Sequence, residues 1–397
     1  MAAAGIICEY NPFHRGHAWQ IAELRRRLGA ETCVVCAMSG DFVQRGEGAI
    51  LRAHARAEAA VRGGADLVLE LPLPWAVSSA EGFAAGGVEV LRAALCDTLV
   101  FGSECGDTER LRAAAQTLLS EPFGALLRRK LGDGVSFAAA REAAARELMG
   151  SSADVLSTPN DILGVEYCKA IARSGAAMVP LALPRRAVGH DDESAEGFAS
   201  ASHIRSLLLH GEDADEFLTE ASAAIYRRER EVGRAPCSMA NAERAVLSRL
   251  RAMQEEDFAR FDSGDEGLYH RVYDAVSREA TLEGILAAAK SKRYAHARLR
   301  RMLLCAWLGV DTQALPARLP YLRVLACSAR GRAQLREIKR SSDVPILTKS
   351  ADVRALDESA QRLFALTARA ADQFALTCPD FTALGAGSAW TSGPVIL

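Results

Sequence analysis

The chain is 397 residues long, more than one ordinary hydrophobic core accommodates, so two domains are the first expectation. With 49% hydrophobic and 25% charged residues it has the make-up of a folded soluble protein, which excludes large-scale disorder. A formal net charge of −2 excludes a general attraction to polyanions, so any nucleic-acid partner has to be met by a local basic patch.

Taken in chain order, short runs rich in Val, Ile, Leu and Cys at 4–8, 32–37, 66–71 and 97–101 predict strands, and "AAMVPLAL" at 176–183 predicts a fifth. Between them the spacing predicts helices over 17–28, 52–62 and 80–94. Strands alternating with helices of this length imply right-handed crossovers and a parallel sheet covered on both faces. The expected fold class is therefore α/β and Rossmann-like. From about residue 206 the pattern changes to helices without intervening strands, which places a boundary near 210: residues 1–210 form the α/β domain and 211–397 a mainly α-helical region. Residues 384–397, "LGAGSAWTSGPVIL", read as a loosely ordered tail.

No charged leader with an apolar stretch precedes "MAAAGIICEYNP", and no apolar run reaches the roughly 18 residues of a membrane span, so a cytoplasmic protein with reduced thiols is expected. Of the ten cysteines only Cys33 and Cys36 lie close, in "TCVVCAM". That segment reads as a buried strand, whose period of two turns them to opposite faces and makes them core residues rather than a metal or redox pair.

In parallel α/β sheets ligands bind beyond the carboxyl ends of the strands. The loops there hold "EYNPFHRGH", "MSGDFVQRGEGAI", "GSECGD" and "PRRAVGHDD". In the first, a helix that begins near Gly16 or His17 offers unpaired amides and the positive end of its dipole, which is an anion site. Gly16 allows a phosphate close to the backbone, Pro12 stiffens the approach, and the imidazoles of His14 and His17 can donate to phosphate oxygens. No further His, Cys or Asp nearby completes a metal site, so no protein-held metal is expected. His-x-Gly-His between a first strand and a first helix resembles the signature of the HIGH-type nucleotidyltransferase superfamily, whose motif binds nucleotide phosphates. That superfamily's second signature is matched by "FASASHIRSLL" at 198–208, where Ser200 and Ser202 can cap a helix and reach phosphate and Arg205 adds a fixed charge.

Longer strings narrow the resemblance: "CEYNPFHRGH", "MSGDFVQRGEGAILRAHARAEAAVRGGADLVLELP", "FGSE", "STPNDILGVEYCKAI", "SASHIR", "KRYAHARLRRMLL", "YLRVL" and "PILTKSADV". In this order, over nearly the whole chain, they resemble the bacterial tRNA(Met) cytidine acetate ligase family. The resemblance implies acetylation of the exocyclic amine of the wobble cytidine of elongator tRNA(Met), with ATP and acetate reacting through an acetyl-adenylate and magnesium accompanying the ATP. It also implies that Ile7, Cys8, Glu9, Tyr10, Asn11, Pro12, Phe13, His14, Arg15, Gly16, His17, Ala18, Trp19 and Gln20 surround ATP. Gly102 would admit the nucleotide, Asn160 would hydrogen-bond it, and Arg185 or Arg186 would meet its phosphates, together with Ser200, Ser202 and Arg205. His14 and His17 are the expected catalytic pair. The chain departs from the family pattern at Arg15, Asp41 and Gly48, and its "RRAVGHDD" lacks a Tyr before the His-Asp pair.

The stretch "KSKRYAHARLRR" at 290–301 is intensely basic, and a second basic set lies at 321–340. Lys290, Lys292, Arg293, Arg298 and Arg301 are the expected phosphate contacts for tRNA, and Tyr294 is the expected stacking platform for an unpaired base. Trp307, inside the apolar "MLLCAWLGV", reads as core. Two other classes fit parts of the pattern: a small-molecule adenylyl- or cytidylyltransferase, which would have no use for the basic helical region, and a non-catalytic RNA-binding protein on the same scaffold.

Overall fold

The five predicted apolar runs form neighbouring parallel strands in the computed structural model, which describes residues 2–132, 135, 137–185, 194–195, 197–262, 267–291 and 294–397. They are β1 (Ala3–Cys8), β2 (Cys33–Ser39), β5 (Leu67–Leu71), β6 (Thr98–Ser103) and β7 (Val179–Pro184). Two strands of a short hairpin, β3 (Phe42–Val43) and β4 (Glu47–Gly48), interrupt the chain between β2 and β5, and a second hairpin pairs β8 (Ser194–Ala195) with β9 (Phe198–Ala199). Helix α1 (Arg15–Leu28) crosses from β1 to β2 and helix α2 (Ala53–Arg62) precedes β5.

The sheet order β5-β2-β1-β6-β7 reverses direction of growth at β1, so the carboxyl ends of β1 and β6 flank the crevice where a ligand is admitted. Both faces are buried. Cys33 and Val35 of β2 lie in the core beneath the helices Ala80–Ala93 and Pro159–Ser174, while Val34 and Cys36 lie in the core under α1 and α2. The two cysteines thus serve opposite cores.

The C-terminal half is not free of strands. β10 (Leu322–Cys327) joins the sheet antiparallel to β5, followed by β11 (Ile346–Leu347), and β12 (Val395–Ile396) also pairs β10. The segment 384–397 is therefore held in place: the backbone carbonyl of its Ala389 accepts from Arg323 Nη2 at 3.3 Å, and its final strand completes ladder bonds that a free tail would leave to water. Arg323, within the second basic set, does not face solvent, because it forms a buried ion pair with Glu70 at 3.0 Å, each side chain less than 10% exposed. A third core, around Leu250, Phe258, Leu303 and Trp307, belongs to the helical part. Trp307 is buried there, edge-on to Phe42. Among the described residues no helix is long and apolar enough to cross a membrane.

Candidate functional site

The chain leaving β1 turns sharply before α1. Tyr10 takes a φ of 45°, a left-handed conformation costly for a residue with a side chain, and its ring is buried against Phe13 and His17. Asn11 and Phe13 are buried beside it, with Asn11 Oδ1 accepting from Ile50 N at 2.8 Å. Pro12 is buried between them.

His14 is the N-cap of α1, and His17 stands three residues further on. His14 Nδ1 accepts from Gly16 N at 3.1 Å, and His17 Nδ1 accepts from His14 N at 3.3 Å, so the two imidazoles form a reciprocal capping box. Their rings stack with centroids 3.7 Å apart. Because each Nδ1 is an acceptor, the ring proton of each neutral imidazole sits on Nε2, as a donor. Burial, and then the charges of Arg185 and Arg205, push the His14 pKa down to about 4; burial and His14 hold His17 well below the usual range. The elbow therefore presents neutral Nε2–H donors, with positive charge supplied by arginine and the helix terminus. Gly16 must lack a side chain because a Cβ would meet His14 Cε1 at 2.9 Å.

The second signature meets the first. Ser200 Oγ caps the helix Ala201–His210 by accepting from His203 N at 3.1 Å. Arg205, one turn on, donates to the backbone oxygen of Asn11 at 2.9 Å and to Ser202 Oγ at 3.4 Å. On the other side of the crevice a Cβ on Gly102 would lie 3.3 Å from Arg185 Cγ, so Arg185 lies across the end of β6. Arg185 sits 3.9 Å from Glu104, whose carboxylate also accepts from Asn160 Nδ2. His14, His17, Gly102, Asn160, Arg185, Ser200, Ser202 and Arg205 thus converge on the carboxyl ends of β1 and β6.

Other expected residues serve the frame. Arg15 turns away from the crevice: its Nε donates to the carbonyl of Leu218 at 3.1 Å. Ile7 is buried in the opposite face of the sheet, where its side chain fills the space a Cβ on Gly87 would need. Cys8 is part-buried at the end of β1, and its thiol is pushed well up by burial and by Cys36. Glu9 Oε1 accepts from Gln44 N at 2.9 Å, and burial raises its pKa. Ala18, Trp19 and Gln20 are half-buried along α1. In the basic helical region Tyr294 is buried with the Arg298 guanidinium 5.3 Å over its ring, and Arg298 pairs with the buried Asp262 at 2.9 Å. Arg301 Nη1 reaches the Gln44 carbonyl at 3.4 Å. Those three residues are engaged within the fold, whereas Lys290 is exposed. Arg186, Lys292 and Arg293 lie outside the described residues.

Two residues that build the site were not singled out from the sequence. Arg56 of α2 is fully buried, and its guanidinium donates to the carbonyls of Glu9, Ser39, Gly40 and Leu51, tying the ends of β1 and β2 together. An arginine in the Ala-rich buried stripe of "RAHARAEAAVR" was the available signal. Asp161, beside Asn160, is buried and accepts from Ser103 Oγ, the amides of Glu104 and Cys105, and Thr158 Oγ1, fixing the turn after β6. Asp41 caps α2 by accepting from Ala53 N at 2.7 Å. Among the described residues no three of His, Cys, Asp and Glu converge as a metal cluster.

Comparison with known proteins places the chain in a family. Residues 1–385 match the family model described as HIGH Nucleotidyl Transferase. The chain is 34% identical to the tRNA(Met) cytidine acetate ligase of Acetivibrio thermocellus, with 100% of both chains covered. It is 36% identical to the tRNA(Met) cytidine acetate ligase of Caldanaerobacter subterraneus subsp. tengcongensis, with 96% of each covered. It also superimposes on the crystal structure of Thermotoga maritima TmcAL bound with alpha-thio ATP, with a TM-score of 0.91, 29% identity and 100% of both chains covered.

Proposed function

This chain belongs to the HIGH nucleotidyl transferase family and, within it, to the tRNA(Met) cytidine acetate ligases, and on that premise we propose that it acetylates the wobble cytidine of elongator tRNA(Met) using ATP and acetate. The observation that carries the reading is the convergence of the His14–His17 capping box, Arg185 and Arg205 on one crevice in a chain that matches acetate ligases from end to end.

In the first step an acetate oxygen attacks the α-phosphorus of ATP, the bond to the bridging oxygen breaks, and pyrophosphate leaves. Negative charge builds on the phosphate oxygens, and the two Nε2–H donors, the amides opening α1 and the guanidinium groups of Arg185 and Arg205 are set to stabilise it. Neutral imidazoles suit this task because the stacked rings would repel each other if both were charged. In the second step the cytidine N4 attacks the acetyl carbon, AMP departs with the bonding pair, and N4 loses a proton. Exocyclic aromatic amines are weak nucleophiles, so alignment on the anhydride is the protein's main contribution. Magnesium accompanying ATP as part of that substrate would neutralise phosphate charge.

Residues 1–210 carry the nucleotide in this reading and residues 211–397 face the tRNA, with β10, β11 and β12 tying the second part into the sheet of the first. In this reading the protein works in the cytoplasm, where these substrates are found. Incubating the purified protein with ATP, ¹³C-acetate and tRNA(Met), then analysing nucleosides by mass spectrometry, tests the proposal. Labelled N4-acetylcytidine at the wobble position is the expected product; unmodified tRNA, with ATP intact, would refute it.

A further inference from the structure

A cationic track leaves the elbow across the tip of the β3–β4 hairpin. The tip is held from both sides. Gln44 N donates to Glu9 Oε1 in the crevice, and Arg301 Nη1 donates to the Gln44 carbonyl from the helix His296–Leu308. Gly46, at φ 78°, lies against that helix so closely that a Cβ would be 2.4 Å from Arg301 N. Arg45 stands between these two anchored residues, exposed, and it makes no hydrogen bond or ion pair among the described residues.

The neighbours extend the pattern. Glu47, on β4, lies 3.7 Å from Arg205 Nη2 on one side and 3.7 Å from Arg300 Nη1 on the other, so it spaces the two guanidinium groups across the hairpin. The Arg45 charge acts on both Glu9 and Arg205, and Arg300 acts on Arg205 as well. Beyond Arg300, His296 feels both Arg300 and the exposed Lys290, with Glu283 the opposing carboxylate. Among the described residues Arg45, Arg205, Arg300 and Lys290 thus outnumber the carboxylates that face them, Glu9, Glu47 and Glu283, along a line from the triphosphate site to the helical region.

A line of cations with an exposed, unpaired member at the catalytic mouth matches a phosphodiester backbone better than a single small anion, for which the elbow already provides donors. We propose that this track carries the anticodon-loop backbone, and that Arg45 is the positioning residue that holds the phosphate beside the wobble nucleotide. The inference rests on the acetate ligase reading and names how its RNA substrate is held. Splayed bases of single-stranded loops are presented by gripping the backbone, which leaves the base edge free to reach the adenylate.

The test compares Arg45→Ala, Arg300→Ala and Arg45→Lys with wild type in three measurements: tRNA(Met) binding as a function of salt, the KM for tRNA in acetylation, and ATP binding without tRNA. The two Ala variants should each flatten the logarithmic salt dependence by about 0.7, the value of one single-strand phosphate contact. They should raise the tRNA KM about tenfold or more and leave ATP affinity unchanged, and Arg45→Lys should recover part of the loss. Reduced ATP affinity with unaltered tRNA binding would overturn the proposal and assign Arg45 to the nucleotide. If wild type binds tRNA without acetylating it, the activity reading fails, and the salt dependence of the variants still decides the track.

Discussion

The ring of His14 lies 3.7 Å from that of His17, and each imidazole accepts a backbone amide on Nδ1, so the pair that caps α1 keeps its two ring protons on Nε2 as donors. Structure and chemistry use opposite nitrogens of the same rings. The two roles are therefore separable by substitution. Asn can cap a helix nearly as well as any residue but has no donor at the Nε2 position. His14→Asn should lower kcat/KM for acetylation by about 10²–10³-fold, the effect of losing one donor to a developing oxyanion, while leaving the melting temperature within a few degrees. Steady-state kinetics and thermal unfolding of the one variant check both halves.

The same burial gives a pH signature. The His14 pKa is lowered to about 4 in the folded protein, while in the unfolded chain it stays near 6.5. Below about pH 6.5 the unfolded state therefore takes up a proton that the folded state refuses, and stability falls with pH until about pH 4. His14 alone accounts for ~3 kcal/mol over that window. His17 and His54, both lowered first by burial, add in the same direction, whereas the buried Glu9 and Glu70, raised by burial, oppose it. The difference between wild type and His14→Asn isolates the His14 share. Urea unfolding of the nucleotide-free proteins at pH 7 and pH 5 should show a smaller loss in the variant.

Arg56 tests the floor of the site. Replacing it with Ala strips four backbone carbonyls of their donor inside the protein, and about 3 kcal/mol or more of stability should be lost. Arg56→Lys, which keeps the charge and fewer donors, should fall between. Urea midpoints rank the three proteins.

Much of the fold was legible in the sequence because a parallel sheet buried on both faces writes its strands as unbroken apolar runs, and the topology directs attention to the loops that follow them. The elbow was legible because two histidines and a glycine stand at a strand-to-helix turn, although their use as a capping box for α1 was not. β10 was hidden because "LRVLAC" sits among helices and pairs with β5 across about 250 residues of chain, a contact that no local period records. The inward engagement of Arg298 and Arg301 was hidden for a related reason: their partners, Asp262 and Gln44, are distant in sequence, and Tyr294 is buried beneath Arg298. Basic residues in a cluster look alike until their carboxylates are located. Arg56 was not singled out, although its position in the alanine stripe carried the information.

Gly46 joins the two parts of the molecule. Gly46→Ala puts a methyl group where only 2.4 Å separates it from Arg301 N, at a φ of 78° that disfavours a side chain. The hairpin tip should lift from the helix His296–Leu308. Acetylation should fall at least tenfold and ATP affinity by much less, because Gly46 lies on the helix side of the tip, whereas the tip's contact with the crevice is Gln44 N to Glu9 Oε1. Parallel acetylation and ATP-binding assays check this.

The account stands on the elbow holding the triphosphate, and a crystal structure with a non-hydrolysable ATP analogue tests that directly. Phosphate oxygens within hydrogen-bond distance of Nε2 of both His14 and His17, with Arg185 and Arg205 closing on the same group, is the predicted result. A triphosphate bound elsewhere, with the stacked imidazoles facing solvent, would contradict it.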